Sequence, residues 1–107
     1  MVKPTSQWRH VAALTDVPMG EAKAVKLGEG RSIALFNVDG TFYALDNTCT
    51  HAGGPLSEGY IEGLEVACPF HGAHFNLTTG QAVLPPATQD VACYAVRQQG
   101  DDIEIEV

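Results

Sequence analysis

Short runs of alternating apolar and polar residues, separated by turn-forming residues, extend along most of the chain. Residues 102–107 are apolar at every second position and acidic at the others, which is the pattern of a half-buried strand. Asp39-Gly40 lies between two apolar runs, and this dipeptide is a strong signal for a two-residue hairpin. No window keeps a helical period over about ten residues. The pattern therefore predicts an all-β chain.

The predicted strands are short and close in sequence, as in a sandwich or barrel. They cover residues 8–14, 22–27, 32–38, 41–46, 60–61, 64–67, 74–77, 81–83, 91–97 and 102–107. Residues 84–87 contain Pro85 and Pro86 and cannot form a central strand, because proline lacks the ladder donor. A chain of 107 residues is expected to form one domain.

Two pairs of metal-binding residues stand in loops that are dense in glycine and proline. Cys49 and His51 form the first pair, Cys68 and His71 form the second pair, and sixteen residues separate the two pairs. Each loop follows a predicted strand, and the segment between the loops is a predicted hairpin. The chain therefore turns back on itself, so that the two loops can face one another. Two thiolates and two imidazoles together predict one metal centre.

The arrangement of these ligands favours iron and sulfide over zinc. Zinc sites of two cysteines and two histidines usually have the cysteines paired and the histidines paired, whereas each loop here offers one of each. Rieske-type clusters have two thiolates on one iron and two imidazoles on the other. We therefore predict one [2Fe–2S] cluster per chain, with Cys49 and Cys68 on the inner iron and His51 and His71 on the outer iron. A structural zinc-binding module remains the alternative.

Charge is distributed unevenly along the chain. The net charge is −7, and no Lys or Arg occurs between Arg31 and Arg97. Nucleic acid is not an expected partner, because phosphate binding needs a basic face. The acids of this stretch suit docking on a basic patch of another protein, although any single one of them could simply maintain solubility. They are Asp39, Asp46, Glu58, Glu62, Glu65 and Asp90.

The other features of the chain add smaller expectations. No apolar run approaches the ~20 residues of a membrane helix, and the first residues lack the apolar stretch of a secretory signal. We therefore expect a cytoplasmic protein without membrane contact. Cys93 is expected to be a small core residue within a strand. His10 is expected at the surface or in the core, and His74 outside the ligand set.

Three segments resemble the Rieske family, and specifically its soluble ferredoxins. They are the ligand-containing segments Cys49 to Leu56 and Cys68 to Gly80, together with Asp39 to Leu45 ahead of the first loop. The resemblance extends over nearly the whole chain. It implies stacked antiparallel sheets in a single domain, residues 1–107, with a cluster-binding subdomain over about residues 46–87.

The resemblance also implies the function. A soluble Rieske-type ferredoxin carries single electrons from an NAD(P)H-dependent flavoprotein reductase to a terminal non-haem iron oxygenase, and it is not itself an enzyme. Such a carrier would dock transiently on both partners and is expected to be a monomer. The small subunit of an assimilatory nitrite reductase has a similar fold and is a second interpretation, although many such subunits lack the four ligands.

Departures from the respiratory-chain members of the family bear on the reduction potential. Those proteins join their two loops by a disulfide, where this chain has Gly54 and Phe70. They also place serine and tyrosine hydroxyls near the cluster, where this chain has Ala73 and Phe75. The resemblance therefore implies no bridge and a potential in the lower part of the Rieske window, near about −150 mV.

Overall fold

One strand, Arg31–Val38, is buried on both faces and organises the fold. In the computed structural model, which describes residues 8–28, 30–48, 55–69, 73–84 and 90–106, its side chains enter two separate cores. Ile33 and Leu35 pack into one buried cluster, and Ala34 and Phe36 pack into the other. A continuous apolar run is what a strand between two layers requires, because neither face meets water.

Eleven strands, numbered in chain order, account for the described architecture. They are β1 (Trp8–Ala13), β2 (Ala22–Gly28), β3 (Arg31–Val38), β4 (Thr41–Asp46), β5 (Tyr60–Glu62), β6 (Glu65–Ala67), β7 (His74–Asn76), β8 (Ala82–Leu84), β9 (Cys93–Tyr94), β10 (Val96–Gln99) and β11 (Asp102–Glu106). Short 3₁₀ turns at Leu14–Asp16 and Leu56–Glu58 are the helical elements of the described residues. The prediction of an all-β fold is confirmed.

The strands form three antiparallel sheets. The first sheet has the order β1-β11-β10, the central sheet β2-β3-β4-β9, and a third sheet, here called the loop sheet, β5-β6-β7-β8. Ile103 and Ile105 of the first sheet share a core with one face of the central sheet. Val66 and Phe75 of the loop sheet share a core with its other face. The central sheet therefore lies between the other two.

Two predictions from alternation and turn chemistry are confirmed. Ile103 and Ile105 are fully buried, while the acids that alternate with them reach the surface. Asp39 and Gly40 connect β3 to β4, and both have positive φ angles, of 54° and 89°. This is the backbone of a two-residue hairpin turn, which Asp-Gly adopts readily because glycine has no Cβ.

The predicted strand over residues 91–97 is wrong, because the chain changes sheets there. β9 pairs with β4 of the central sheet, and β10 pairs with β11 of the first sheet. Ala95 lies between the two strands and its carbonyl accepts a hydrogen bond from the Glu106 amide at 3.0 Å. A segment that contributes to two sheets bends or breaks between them, and a single period-2 pattern does not reveal the break that occurs here.

The expectation that Cys93 is a core residue is also wrong. Cys93 is exposed, because β9 is the edge strand of the central sheet. Its Sγ donates to the carbonyl oxygen of Thr78 at 3.4 Å. Partial burial of the thiol raises the pKa of Cys93, so this cysteine is held in its protonated form rather than activated.

The described residues contain no helix that is long and apolar enough to cross a membrane.

Candidate metal centre

The base of the first predicted ligand loop is closed by Asn47. The carbonyl oxygen of Asn47 accepts a hydrogen bond from the Leu56 amide at 2.6 Å, and its side-chain Oδ1 accepts from the Ser57 amide at 2.8 Å. Thr48 and Pro55 form an isolated antiparallel bridge just above these bonds. Residues 49–54, with the predicted ligands Cys49 and His51, lie outside the described residues. The residues that flank them, Thr48 and Pro55, lie side by side.

The start of this loop is also tied to the central sheet. The Asp46 carboxylate accepts a hydrogen bond from the Tyr94 hydroxyl at 2.7 Å, and that hydroxyl accepts another from the Arg31 guanidinium at 2.8 Å. Burial and the bond to Asp46 raise the pKa of Tyr94, so the phenol remains a donor. Asp46, the last residue of β4 before the first loop, is therefore held in place by these bonds.

The second predicted ligand loop is closed by its own backbone. The Cys68 amide donates to the carbonyl oxygen of Ala73 at 2.6 Å, directly beyond the pairing of Ala67 with His74 in β6 and β7. Cys68 is 2 % exposed and belongs to the core between the central sheet and the loop sheet. His71 lies outside the described residues.

The bases of the two loops meet in one buried cluster. Leu56, at the end of the first loop, packs in the same core as Cys68 and Ala73 of the second loop. Gly59 passes so close to β6 that a Cβ there would lie 2.1 Å from the carbonyl oxygen of Ala67. Glycine is required for this approach. The bases of the two predicted ligand loops therefore lie next to one another.

The residues that flank a third segment, 85–89, are joined by hydrogen bonds beside β8, an edge strand of the loop sheet. The Val91 amide donates to the carbonyl oxygen of Gly80 at 2.9 Å, and the Asp90 carboxylate accepts from the Ala82 amide at 2.8 Å. These contacts close the base of the segment 85–89. The prolines of that segment, Pro85 and Pro86, lie outside the described residues.

The donor set fits an iron–sulfur centre as far as the structure describes it. Within the described ranges, no three His, Cys, Asp or Glu side chains converge on one point. Cys68 is the described member of the predicted set, and a buried sulfur at the base of a loop suits the iron that is further from solvent. The other three ligands, Cys49, His51 and His71, remain predictions.

The two additional histidines engage carboxylates. His74 is largely buried, and its Nδ1 lies 3.1 Å from Glu65 Oε1 and 3.9 Å from Glu62 Oε2. His10 is exposed on β1 with its Nε2 3.1 Å from Asp102 Oδ1. His10 is therefore a surface residue, as one of the two expectations for it had it.

The chain belongs to the Rieske [2Fe-2S] domain family, whose model matches residues 7–95. The ferredoxin component of the naphthalene 1,2-dioxygenase system of Pseudomonas aeruginosa is 38 % identical over 96 % of this chain and 98 % of its own length. The 3-phenylpropionate/cinnamic acid dioxygenase ferredoxin subunit of Shigella flexneri serotype 5b is 42 % identical over 92 % of each chain.

A solved structure has the same fold. It is the complex of reduced oxygenase and oxidized ferredoxin in carbazole 1,9a-dioxygenase, in which one chain matches with a TM-score of 0.86 at 32 % identity, over 92 % of each chain. The predicted cofactor is thereby confirmed: this chain carries a Rieske-type [2Fe–2S] cluster. It carries electrons as a ferredoxin and is not an enzyme. The alternative of a structural zinc module is wrong.

Proposed function

We propose that this chain transfers single electrons from an NAD(P)H-dependent flavoprotein reductase to the terminal non-haem iron oxygenase of an aromatic-ring dioxygenase system. The observation that carries the proposal is the match, along almost their full length, to ferredoxin components of such systems. The structural match to a chain from an oxygenase–ferredoxin complex supports the oxygenase as one partner.

The proposed ligand set has two cysteines and two histidines. Cys49 and Cys68 would hold the inner iron, and His51 and His71 would hold the outer iron. The burial of Cys68 and the meeting of the two loop bases around Leu56 support this assignment. The cluster supplies a one-electron redox centre, and neutral imidazoles in place of thiolates raise its potential above that of plant-type ferredoxins.

The side chains behind the second loop favour a potential in the lower part of the Rieske window. Ala73 and Phe75 are fully buried beside Cys68, and neither has a hydroxyl. Hydrogen bonds to the sulfurs raise the potential of such centres. Without these donors, we expect a value near about −150 mV.

The remaining assignments follow from the same proposal. A diffusing carrier between two partners would be a cytoplasmic monomer, and residues 1–107 would form one domain. The cluster-binding subdomain would comprise about residues 46–87, which include the whole loop sheet. The acids of this region would meet a basic patch on each partner.

Electron exchange between purified components tests the partner assignment. The holoprotein is mixed with NADH and the reductase of a naphthalene 1,2-dioxygenase system under argon, and its visible absorbance is followed. The matching oxygenase is then added. We expect reduction that requires the reductase, followed by reoxidation that requires the oxygenase. Holoprotein that exchanges electrons with no dioxygenase system, but only with a nitrite reductase large subunit, would contradict the proposal.

A further inference from the structure

Asn47 forms hydrogen bonds on both sides of the first ligand loop. Its side-chain Oδ1 accepts from the Ser57 amide beyond the loop at 2.8 Å. Its Nδ2 donates to the Ser32 hydroxyl of the central sheet at 3.4 Å. One amide side chain therefore joins the start of the loop, the end of the loop and the buried sheet beneath them.

The backbone of the same residue repeats this arrangement. The Asn47 amide donates to the Ser32 carbonyl at 3.0 Å, and the Asn47 carbonyl accepts from the Leu56 amide at 2.6 Å. Backbone bonds of this kind are open to almost any residue, whereas the two side-chain bonds need a donor and an acceptor on separate atoms, which the amide of asparagine provides. The side chain thus determines how firmly the two ends of the loop are held together.

We propose that Asn47 is a positioning residue for the cluster: its amide fixes the separation and orientation of the two ends of loop 48–55. This inference rests on the proposed ligand set, since that loop contains Cys49 and His51. Asn47 does not touch the cluster in this account. It acts through the loop, whose two ligands must reach two different irons from one short segment.

The chain contains a matched control in Asn37. Its Nδ2 donates to the Val17 carbonyl at 2.7 Å, and its Oδ1 accepts from the Gly40 amide at 2.8 Å. The side chain thus forms one donor and one acceptor bond, as Asn47 does, but at the β3–β4 hairpin. Replacing either asparagine by alanine removes the same kinds of bond, and only one replacement loosens the ligand loop.

The test compares Asn47→Ala, Asn47→Asp and Asn37→Ala as holoproteins. The measurements are the rate of cluster loss to a chelator, the electron paramagnetic resonance (EPR) spectrum of the reduced protein and the melting temperature. We expect Asn47→Ala to lose its cluster about tenfold faster, the factor that one to two net hydrogen bonds supply, and to show a broadened EPR spectrum. Asn47→Asp keeps the acceptor for the Ser57 amide, so both properties should return close to wild type.

Asn37→Ala should melt at a lower temperature because the Val17 carbonyl loses its partner, yet keep the wild-type EPR spectrum and rate of cluster loss. A wild-type EPR spectrum and a wild-type rate of cluster loss in Asn47→Ala would overturn the inference. Cluster loss that is equally fast in Asn37→Ala and Asn47→Ala would also overturn it. If Asn47→Ala does not fold, Asn47→Ser takes its place, because its side chain is too short to keep both bonds: faster cluster loss than in the wild type supports the inference, and a wild-type rate overturns it.

Cys49→Ser separates this inference from the ligand set on which it rests. A cluster retained in Cys49→Ser would show that the ligand set is wrong. A cluster lost from Cys49→Ser but held normally by Asn47→Ala would leave the ligand set intact and overturn only the positioning role.

Discussion

The first sheet and the loop sheet both carry acidic residues, but they neutralise them differently. On the first sheet, Glu104 lies 2.7 Å from the Arg97 guanidinium, which also stacks 4.4 Å from the Trp8 ring. The loop sheet contains no Lys or Arg, and its Glu62 and Glu65 contact only a histidine among the described charged groups, His74. The negative charge of the first sheet is therefore largely balanced within the fold, while that of the loop sheet meets no Lys or Arg of its own sheet.

The same contrast holds for polar contacts. Each loop beside the loop sheet is closed at its base by short hydrogen bonds, in which Asn47 and Asp90 accept and the Cys68 amide donates. The turn between β10 and β11 is a simple two-residue hairpin in which Gly100 has a φ of 61°. The loop sheet thus carries loops that are held at their bases by hydrogen bonds, whereas the first sheet has a short turn and contributes mainly to the core.

The largest expected effect is the loss of the cluster on replacing Cys68, the proposed ligand that the structure describes. Cys68→Ser should prevent cluster retention, because an alcohol is a poor substitute for a thiolate on iron. Cys93→Ser, at the exposed edge of the central sheet, is the matched control and should retain the cluster. Iron and acid-labile sulfide in the two purified variants give the result. Equal iron in both would remove Cys68 from the ligand set.

The next effect is on the reduction potential. His71→Cys replaces a neutral ligand by an anionic one, so the potential should fall toward about −400 mV, the range of all-thiolate clusters. The measurement is a redox titration of whatever fraction of the variant retains its cluster. A potential unchanged from wild type would contradict the assignment of His71 to the outer iron.

A smaller effect is expected on the rate of electron transfer. Glu58→Lys reverses an exposed charge next to the loop sheet, and it should slow transfer to the partner roughly two- to tenfold at low salt. The difference should shrink as salt screens the charge. Asp101→Lys makes the same change in the β10–β11 turn of the first sheet. If stopped-flow measurements find both variants slowed equally, net charge rather than the loop sheet governs docking.

The smallest effect concerns the first sheet alone. Glu104→Gln removes an ion pair that is partly exposed, so the free energy of unfolding should fall by no more than about 1 kcal/mol. Urea denaturation measures this change. The rate of electron transfer should stay at the wild-type value, and a clear decrease would mean that the acids of the first sheet also take part in docking.

The sequence predicted those elements in which local pattern and tertiary environment agree. Strand β11 could be predicted because its alternation matches one buried face, and the β3–β4 turn because Asp39-Gly40 favours its backbone. The break at Ala95 could not be predicted, since it arises from a change of partner strand and not from any local signal. The exposure of Cys93 follows from the edge position of β9, which is likewise set by strand pairing and not by local pattern.

The chemistry of the site could be predicted from the sequence, but the hydrogen bonds that hold the ligand loops could not. The spacing of Cys49, His51, Cys68 and His71 indicated the cofactor that the family membership confirms, while the ligand assignment itself stays a prediction. The role of Asn47 had no signal in one sequence, because an asparagine before a loop is ordinary turn chemistry. Only the fold brings Ser32 and Ser57 to its side chain.

The mixed ligation of the cluster is tested most directly by pulsed EPR of the reduced protein labelled with ¹⁵N-histidine. We expect coupling from two histidine nitrogens, of which one disappears in His71→Cys. A spectrum without histidine coupling, from protein with its full content of iron and sulfide, would contradict mixed ligation.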